Sequence, residues 1–270
     1  MSSDSYARSG RSGNGRAKKS HISAALVLRR TPFREADLVV TLFTESLGQI
    51  AALARTARKS QRRFGGGLEP FHTIEAEFDE APGADLMTLT SVRVETPRAH
   101  LYGHLEGMEA AGKFLNWVRH ASPAHTPEPR VWQLALACLD GLNDAAGAVA
   151  ADSESIATGH GSDRQHPSPA RILAACGLQL LAISGWRLEL EHCVLSGARC
   201  PDGKSAMVDP ERGGLVSRAE GGAPFLLNGA ARARLIAAQD GRADALEEDD
   251  GAIGLELVER CLRAHAGLSA

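Results

Sequence analysis

The sequence predicts an α+β fold in which a small five-stranded β-barrel precedes a mainly α-helical domain. Three observations carry this. Five short β-type segments with partial period-two alternation lie between Ile22 and Glu95. After Pro97 the apolar residues recur every three or four positions instead. The charge also divides: residues 1 to 63 hold 13 Lys and Arg against 4 Asp and Glu, although the whole chain of 270 residues has a net charge of −3. The first 63 residues therefore carry +9 and the remainder −12, so one end attracts polyanions and the other repels them.

The expected strands are Ile22 to Arg30, Asp37 to Thr44, Gly48 to Thr56, Glu69 to Phe78 and Asp85 to Glu95. Each is rich in Val, Ile, Leu, Thr or Phe, residues that suit a pleated, half-buried surface. Turn signals separate them at Thr31-Pro32, Ser46-Leu47-Gly48, Gly65-Gly66-Gly67 and Ala81-Pro82-Gly83. Five strands in about 75 residues suit a small closed barrel.

The helical pattern starts with Leu101, Leu105, Met108, Ala111, Leu115 and Val118 along one face. Three prolines between Ser122 and Pro129 end it, and a second helix follows from Arg130 to about Leu142. Residues 145 to 169 hold little periodic apolar content and read as a flexible loop. Ser168-Pro169 is a helix start, and that helix runs to about Ser184. Residues 190 to 224 read as irregular, and helices near Asn228 to Ala238 and Ile253 to Ala266 close the chain. The resulting organisation is a basic tail over residues 1 to 20, disordered for about the first 18, a barrel over 21 to 96 and a helical domain over 97 to 270.

Composition excludes several classes. With 43% hydrophobic residues the chain can bury a substantial core. No run approaches the roughly 20 consecutive apolar residues of a membrane span, and the N-terminal segment has no signal-peptide core, so a soluble intracellular protein is expected. Five unevenly spaced cysteines do not form the paired framework of a secreted domain.

Arg55, Arg58, Lys59, Arg62 and Arg63 place five cations in nine residues before the glycine turn. Such a run is either a solvated face or a loop that neutralises several phosphates, with the counterion release that makes binding salt-dependent. Arg29, Arg30 and Arg34 favour the second, because a closed barrel brings their strand beside the loop. Phe33 and Phe64 lie within these basic stretches and offer either base-stacking surfaces or, the commoner use of phenylalanine, core side chains.

Other motifs fail on their chemistry. Gly65-Gly66-Gly67 lacks a following Gly-Lys-Ser/Thr, and between Gly197 and Gly203 there are five residues where a phosphate loop has four. Cys193 and Cys200 would be half of a zinc site, but no second cysteine pair follows. His100 and His104 lack the glutamate of a metalloprotease helix. No catalytic residue, metal or cofactor is expected.

The run Ala25-Leu-Val-Leu-Arg-Arg-Thr-Pro-Phe-Arg-Glu-Ala-Asp-Leu-Val-Val-Thr-Leu-Phe-Thr-Glu-Ser-Leu-Gly48, with Ala52 to Ser60 and Phe64 to Phe71, resembles the bacterial RecO family of recombination mediators. The likeness is strongest over residues 22 to 80, and Ala175 to Cys193 is similar to the family's long helix and zinc-finger-like segment. The resemblance implies an oligonucleotide-binding (OB) barrel and a helical domain with a degenerate zinc-finger-like segment, in which Ser217 and Glu220 stand where zinc-binding members have a second cysteine pair. It implies binding of single- and double-stranded DNA, single-strand annealing, and loading of RecA together with RecR. It also implies a groove for the acidic C-terminal tail of single-strand DNA-binding protein. The matching DNA-contact positions are Arg29, Arg30, Arg34, Arg55, Arg58, Lys59, Arg62 and Arg63. The rival readings are an OB module that binds RNA and, against the lack of clustered acids in the basic half, a metal-dependent nuclease.

Overall fold

The computed structural model describes residues 19–80, 86–157 and 166–268, so the basic tail expected over residues 1 to 20 lies almost wholly outside the described residues. The chain is an α+β protein. Strands β1 (Lys19–Phe33), β2 (Asp37–Thr44), β3 (Gly48–Ala54), β4 (Thr73–Glu80) and β5 (Met87–Thr96) close a barrel in the order β1-β2-β3-β5-β4, the OB arrangement. The parallel pairing of β3 with β5, from Ala52↔Met87 to Ala54↔Leu89, completes the circuit.

Strand β1 is long because it serves two neighbours. Lys19 to Leu26 pair with β4 and Ala25 to Phe33 pair with β2, with a bulge between Val27 and Arg29. Such a bulge bends the strand and turns the residues beyond it in a new direction. Every residue from Arg29 to Glu35 is exposed, so the end of the β1–β2 hairpin projects from the barrel.

Alternation along the strands builds two cores. Ala25, Val27, Val40, Leu42, Ile50, Ala52, Ile74, Phe78 and Leu89 fill the barrel. Leu26 and Phe43, on the other face, belong to the helical core, where the Phe43 ring lies 5.8 Å from Trp132. Burial on both faces explains the unbroken apolar runs at these places. Between β3 and β4 a single helical turn, α1 (Gln61–Phe64), inserts Phe64 into the barrel, where it is 3% exposed.

The helical part consists of α2 (Leu105–Ala121), α3 (Pro129–Ala157), α4 (Pro169–Ile183), α5 (Gly229–Gln239) and α6 (Asp250–Ala266). Ser168 caps α4 by accepting from the Arg171 N–H, and Asn228 caps α5 through the Ala231 N–H. Helix α4 is central, and close approach depends on Gly177, where a Cβ would lie 2.7 Å from Trp117 and 2.8 Å from Val258.

Two expectations are corrected. Residues 145 to 157 continue α3 instead of opening the flexible loop expected over 145 to 169, of which residues 158 to 165 lie outside the described residues. The stretch is rich in alanine, which gives no apolar period but has the highest helix propensity, and Ala145 and Ala146 are buried. The segment 190 to 224, expected to be irregular, contributes to a four-stranded sheet of β6 (Glu189–Cys193), β7 (Ala206–Asp209), β8 (Gly214–Leu215) and β9 (Phe225–Leu227), in the order β6-β8-β7-β9. Strands of two to five residues show too few alternations to be read. Their Leu190, Val208, Leu215 and Leu227 join the helical core, and the buried Arg232 guanidinium donates to the Leu190 and Pro201 carbonyls.

By length and composition, the part of α3 from Pro129 to Asp152 is long and apolar enough to cross a membrane. Here its apolar face is spent inside the protein, with Val131, Trp132, Ala135, Cys138, Leu139 and Leu142 all buried.

Barrel and helices are joined at Arg98, which is 2% exposed. Its Nε donates to Asp140 Oδ1 of α3 at 2.8 Å, its Nη1 to the Phe71 carbonyl at 2.8 Å and to Thr73 Oγ1 at 3.0 Å, and its backbone N–H to His72 Nδ1 at 3.1 Å. Burial and the Arg98 charge hold the His72 pKa below its ordinary value.

Arg98→Met leaves a carbonyl and a hydroxyl without their donor, so it should cost about 2–4 kcal/mol in denaturant unfolding. Asp140→Asn keeps an acceptor but removes the counter-charge of the buried guanidinium, so it should cost about 1–3 kcal/mol. Because the His72 pKa is lower folded than unfolded, the unfolded chain takes up the proton first. The stability it contributes is complete above about pH 6.5 and is lost as the pH falls through that range. Thermal unfolding between pH 7.5 and 5 should show that loss, and His72→Gln should reduce it.

Candidate nucleic-acid interface

The basic residues come from two stretches that the structure ties together. The loop after β3 is sewn to the β1–β2 turn. The Thr56 N–H donates to Asp37 Oδ1 at 2.7 Å, and the Arg58 N–H to the Ala36 carbonyl at 3.2 Å. Thr56 and Arg34 both adopt left-handed backbone conformations, with φ of 54° and 55°, that allow the tight reversals. Residues separated by some 20 positions in the chain thus share one end of the barrel.

Within that end the cations are used differently. Arg29, Arg34, Arg55 and Arg62 are exposed, and among the described residues no carboxylate lies within ion-pairing distance of them. Arg58 is exposed and donates to the Glu35 carbonyl at 3.3 Å. Arg30 pairs with Glu69 at 2.7 Å and Lys59 with Glu35 at 3.5 Å. Arg63 turns inward. Its guanidinium donates to the Arg55 carbonyl at 2.8 Å and to the Thr56 hydroxyl, and stacks over the Phe64 ring at 5.1 Å. It braces the loop that holds its neighbours.

Arg30 and Arg58 flank a groove of about 410 Å³ whose walls include Leu38, Ala57, Phe64 and Leu68. Gly65 and Gly66, both at positive φ, close one side with no side chain to obstruct it. The arrangement can hold an extended anionic chain by its phosphates.

The two phenylalanines part company here. Phe64 is core, as expected of a phenylalanine. Phe33 is not: it stands 41% exposed at the hairpin tip, with the Arg34 guanidinium 5.2 Å from its ring centre. The signal was positional, since a ring next to a three-residue reversal beyond a bulge has no core to reach. Asp37, Glu35 and Glu69, which anchor or balance the cations, have no signature in the sequence because isolated acids carry no pattern.

The zinc-finger-like segment does not fit a metal. Cys193 is buried and its Sγ accepts from the Ser217 N–H at 3.3 Å. Hydrogen bonds from the Ser196 side chain and backbone, then from Ser217, pull its thiol pKa down to about 6. Cys200 turns to the Pro201 carbonyl instead. Among the described residues no three His, Cys, Asp or Glu side chains converge on a cation position. A hydroxyl and backbone N–H donors face the Cys193 sulfur.

A sequence model of the family described as "Recombination protein O N terminal" matches residues 19–98, the barrel together with Arg98. The DNA repair protein RecO of Anaeromyxobacter sp. (strain K) is 35% identical over 218 residues, 80% of this chain and 78% of that protein. The chain belongs to the RecO family. Its similarity extends to the RecO proteins of Anaeromyxobacter sp. (strain Fw109-5), 32% identical over 86% of this chain and 84% of the relative, and of Geobacter sulfurreducens, 34% identical over 66% and 63%. RecO membership places the chain among DNA repair and recombination proteins.

Proposed function

We propose that this RecO-family chain is a non-enzymatic, DNA-binding recombination mediator that acts in the bacterial cytoplasm at the nucleoid. It anneals complementary single strands and, together with RecR, helps load RecA onto DNA coated with single-strand DNA-binding protein. The barrel over residues 21 to 96 is the DNA-binding domain and the helical remainder serves protein partners. The observation that carries this reading is the gathering of Arg29, Arg34, Arg55, Arg58 and Arg62 at one end of the barrel, in a chain whose remainder is acidic overall.

Annealing requires two strands to be brought together while their bases stay free to pair. Cations that touch phosphates meet that need, because phosphate contacts position a strand without reading its sequence. Arg30 and Lys59, each already paired with a glutamate, join by exchanging that partner for a phosphate, while Arg63 contributes by holding the loop in shape. An apolar groove of about 400 Å³ between α3 and α4, walled by Leu134, Ile172 and Ala175, with Asp244 and the Glu248-paired Arg171 at its edge, supports through its apolar walls a site for the tail of single-strand DNA-binding protein.

Binding should be sequence-tolerant and should weaken steeply with salt. Replacing Arg29, Arg34, Arg55 and Arg62 together by alanine should flatten the slope of log affinity against log salt by about 3, from about 0.7 per phosphate on single strands. Equal binding at low and high salt, or an unchanged slope in the quadruple variant, contradicts the reading. Competition between DNA and RNA of one sequence separates it from RNA binding, and annealing of protein-coated oligonucleotides with RecR present tests the mediator role.

A further inference from the structure

We infer that Phe33 is the nucleobase-contacting residue of this interface and gives it a preference for unpaired strands. The inference rests on the DNA-binding reading above and adds to it a contact that charge alone does not supply.

A single exposed apolar side chain is ordinary on a protein surface. What sets Phe33 apart is its surroundings. The bulge between Val27 and Arg29 sends the hairpin out of the barrel, so the ring sits at a tip where every residue from Arg29 to Glu35 is exposed. Pairing of Phe33 with Asp37 and the left-handed Arg34 fix the tip's shape, and the Arg34 guanidinium lies over one face of the ring, which leaves the other for a base. Asp37 in turn holds the loop that carries Arg55 and Arg58. An aromatic face is thereby fixed among cations that suit phosphates.

The other aromatic residues near the barrel are committed elsewhere. Phe64 is buried. Tyr102 is as exposed as Phe33, yet its ring packs 5.8 Å from Phe71 and 5.4 Å from His72, and its hydroxyl donates to the Pro70 carbonyl. Among the described residues, Phe33 is thus the exposed aromatic ring that no second ring packs against.

The ligand's class is set by what a strand offers beside its phosphates. In a duplex the base faces are already stacked on one another, whereas an unpaired base presents a free face, and stacking on an aromatic ring is tolerant of sequence. Charge by itself favours the duplex, which carries one phosphate per roughly 1.7 Å. Phe33 supplies the opposing preference. It also gives annealing a direction, since a base that pairs and stacks within the new duplex leaves the ring and weakens the hold on the product.

The test compares wild type, Phe33→Ala and Phe33→Tyr on a fluorescent 15-residue oligo-dT and on a blunt 15-base-pair duplex, at two salt concentrations. Phe33→Ala should weaken single-strand binding about five- to a hundred-fold, change duplex binding less than about twofold and leave the salt slope as it was, while Phe33→Tyr should bind as wild type does. An exposed tip position should leave the melting temperature unchanged, so misfolding is separately visible. If wild type binds single strands and Phe33→Ala binds them equally well, or loses single strand and duplex in equal measure, the stacking inference is overturned while the DNA-binding reading stands. If wild type binds neither oligonucleotide, both fall.

Discussion

The guanidinium of Arg98 lies out of water with an acceptor on each accessible side: an α3 carboxylate, the Phe71 carbonyl and the Thr73 hydroxyl. A cation in such a place is tolerated only when its donors are met, because an unpaired buried charge costs several kcal/mol. The three acceptors come from either side of the junction between barrel and helices, so Arg98 is satisfied only while the two are docked. Apolar contact alone, through Leu26, Phe43 and Trp132, would favour burial without fixing an angle. The arginine adds direction. Gly48 reinforces it: with φ of 68° and no room for a Cβ beside the Thr126 carbonyl, the β2–β3 turn accepts the α2–α3 connection closely.

Docking of this kind determines what remains for function. The barrel's helix-facing side is consumed, and the part beyond the β1 bulge, together with Arg55, Arg58, Lys59, Arg62, Gly65 and Gly66, stays in solvent. Selection of charge follows the same line, for the cations concentrate where the barrel is uncovered. Glu35 and Glu69 temper that concentration by pairing with Lys59 and Arg30. Exposed pairs like these contribute little to stability and are readily exchanged for another anion. The zinc-finger-like segment is held by buried hydrogen bonds of the kind that Arg98 makes, with Arg232 anchoring its sheet and Gln239 exchanging reciprocal hydrogen bonds with Leu188.

Much of the fold was legible in the sequence where a period was long enough to be seen. Strand β2 begins and ends at Asp37 and Thr44, as its alternation and flanking turns require. Strand β1 extends three residues past each expected end, because ladder pairing continues through polar residues that carry no hydrophobic signal. Strand β4 begins at Thr73 and not at Glu69, since Phe71, at φ of 77°, belongs to the turn that presents its carbonyl to Arg98. The alanine-rich end of α3 and the short strands of residues 189 to 227 were opaque for opposite reasons, one having propensity without periodicity and the other too few residues for either.

The candidate site was legible as a set of residue numbers and opaque as a division of labour. Arg55 to Arg63 reads as one basic run, yet Arg63 is a brace and Arg62 has no ion-pair partner among the described residues, a distinction set by which way a single helical turn faces. Phe33 and Phe64 are equivalent in sequence context and opposite in fate, because only Phe64 follows a turn that points back into the barrel.

Hydrogen–deuterium exchange of the full chain with and without a single-stranded oligonucleotide measures the central claim most directly. Slowed exchange confined to residues 29 to 37 and 55 to 69, with α5 and α6 unaffected, is the predicted result. Protection centred on the acidic helices, with the barrel end unchanged, would contradict the account.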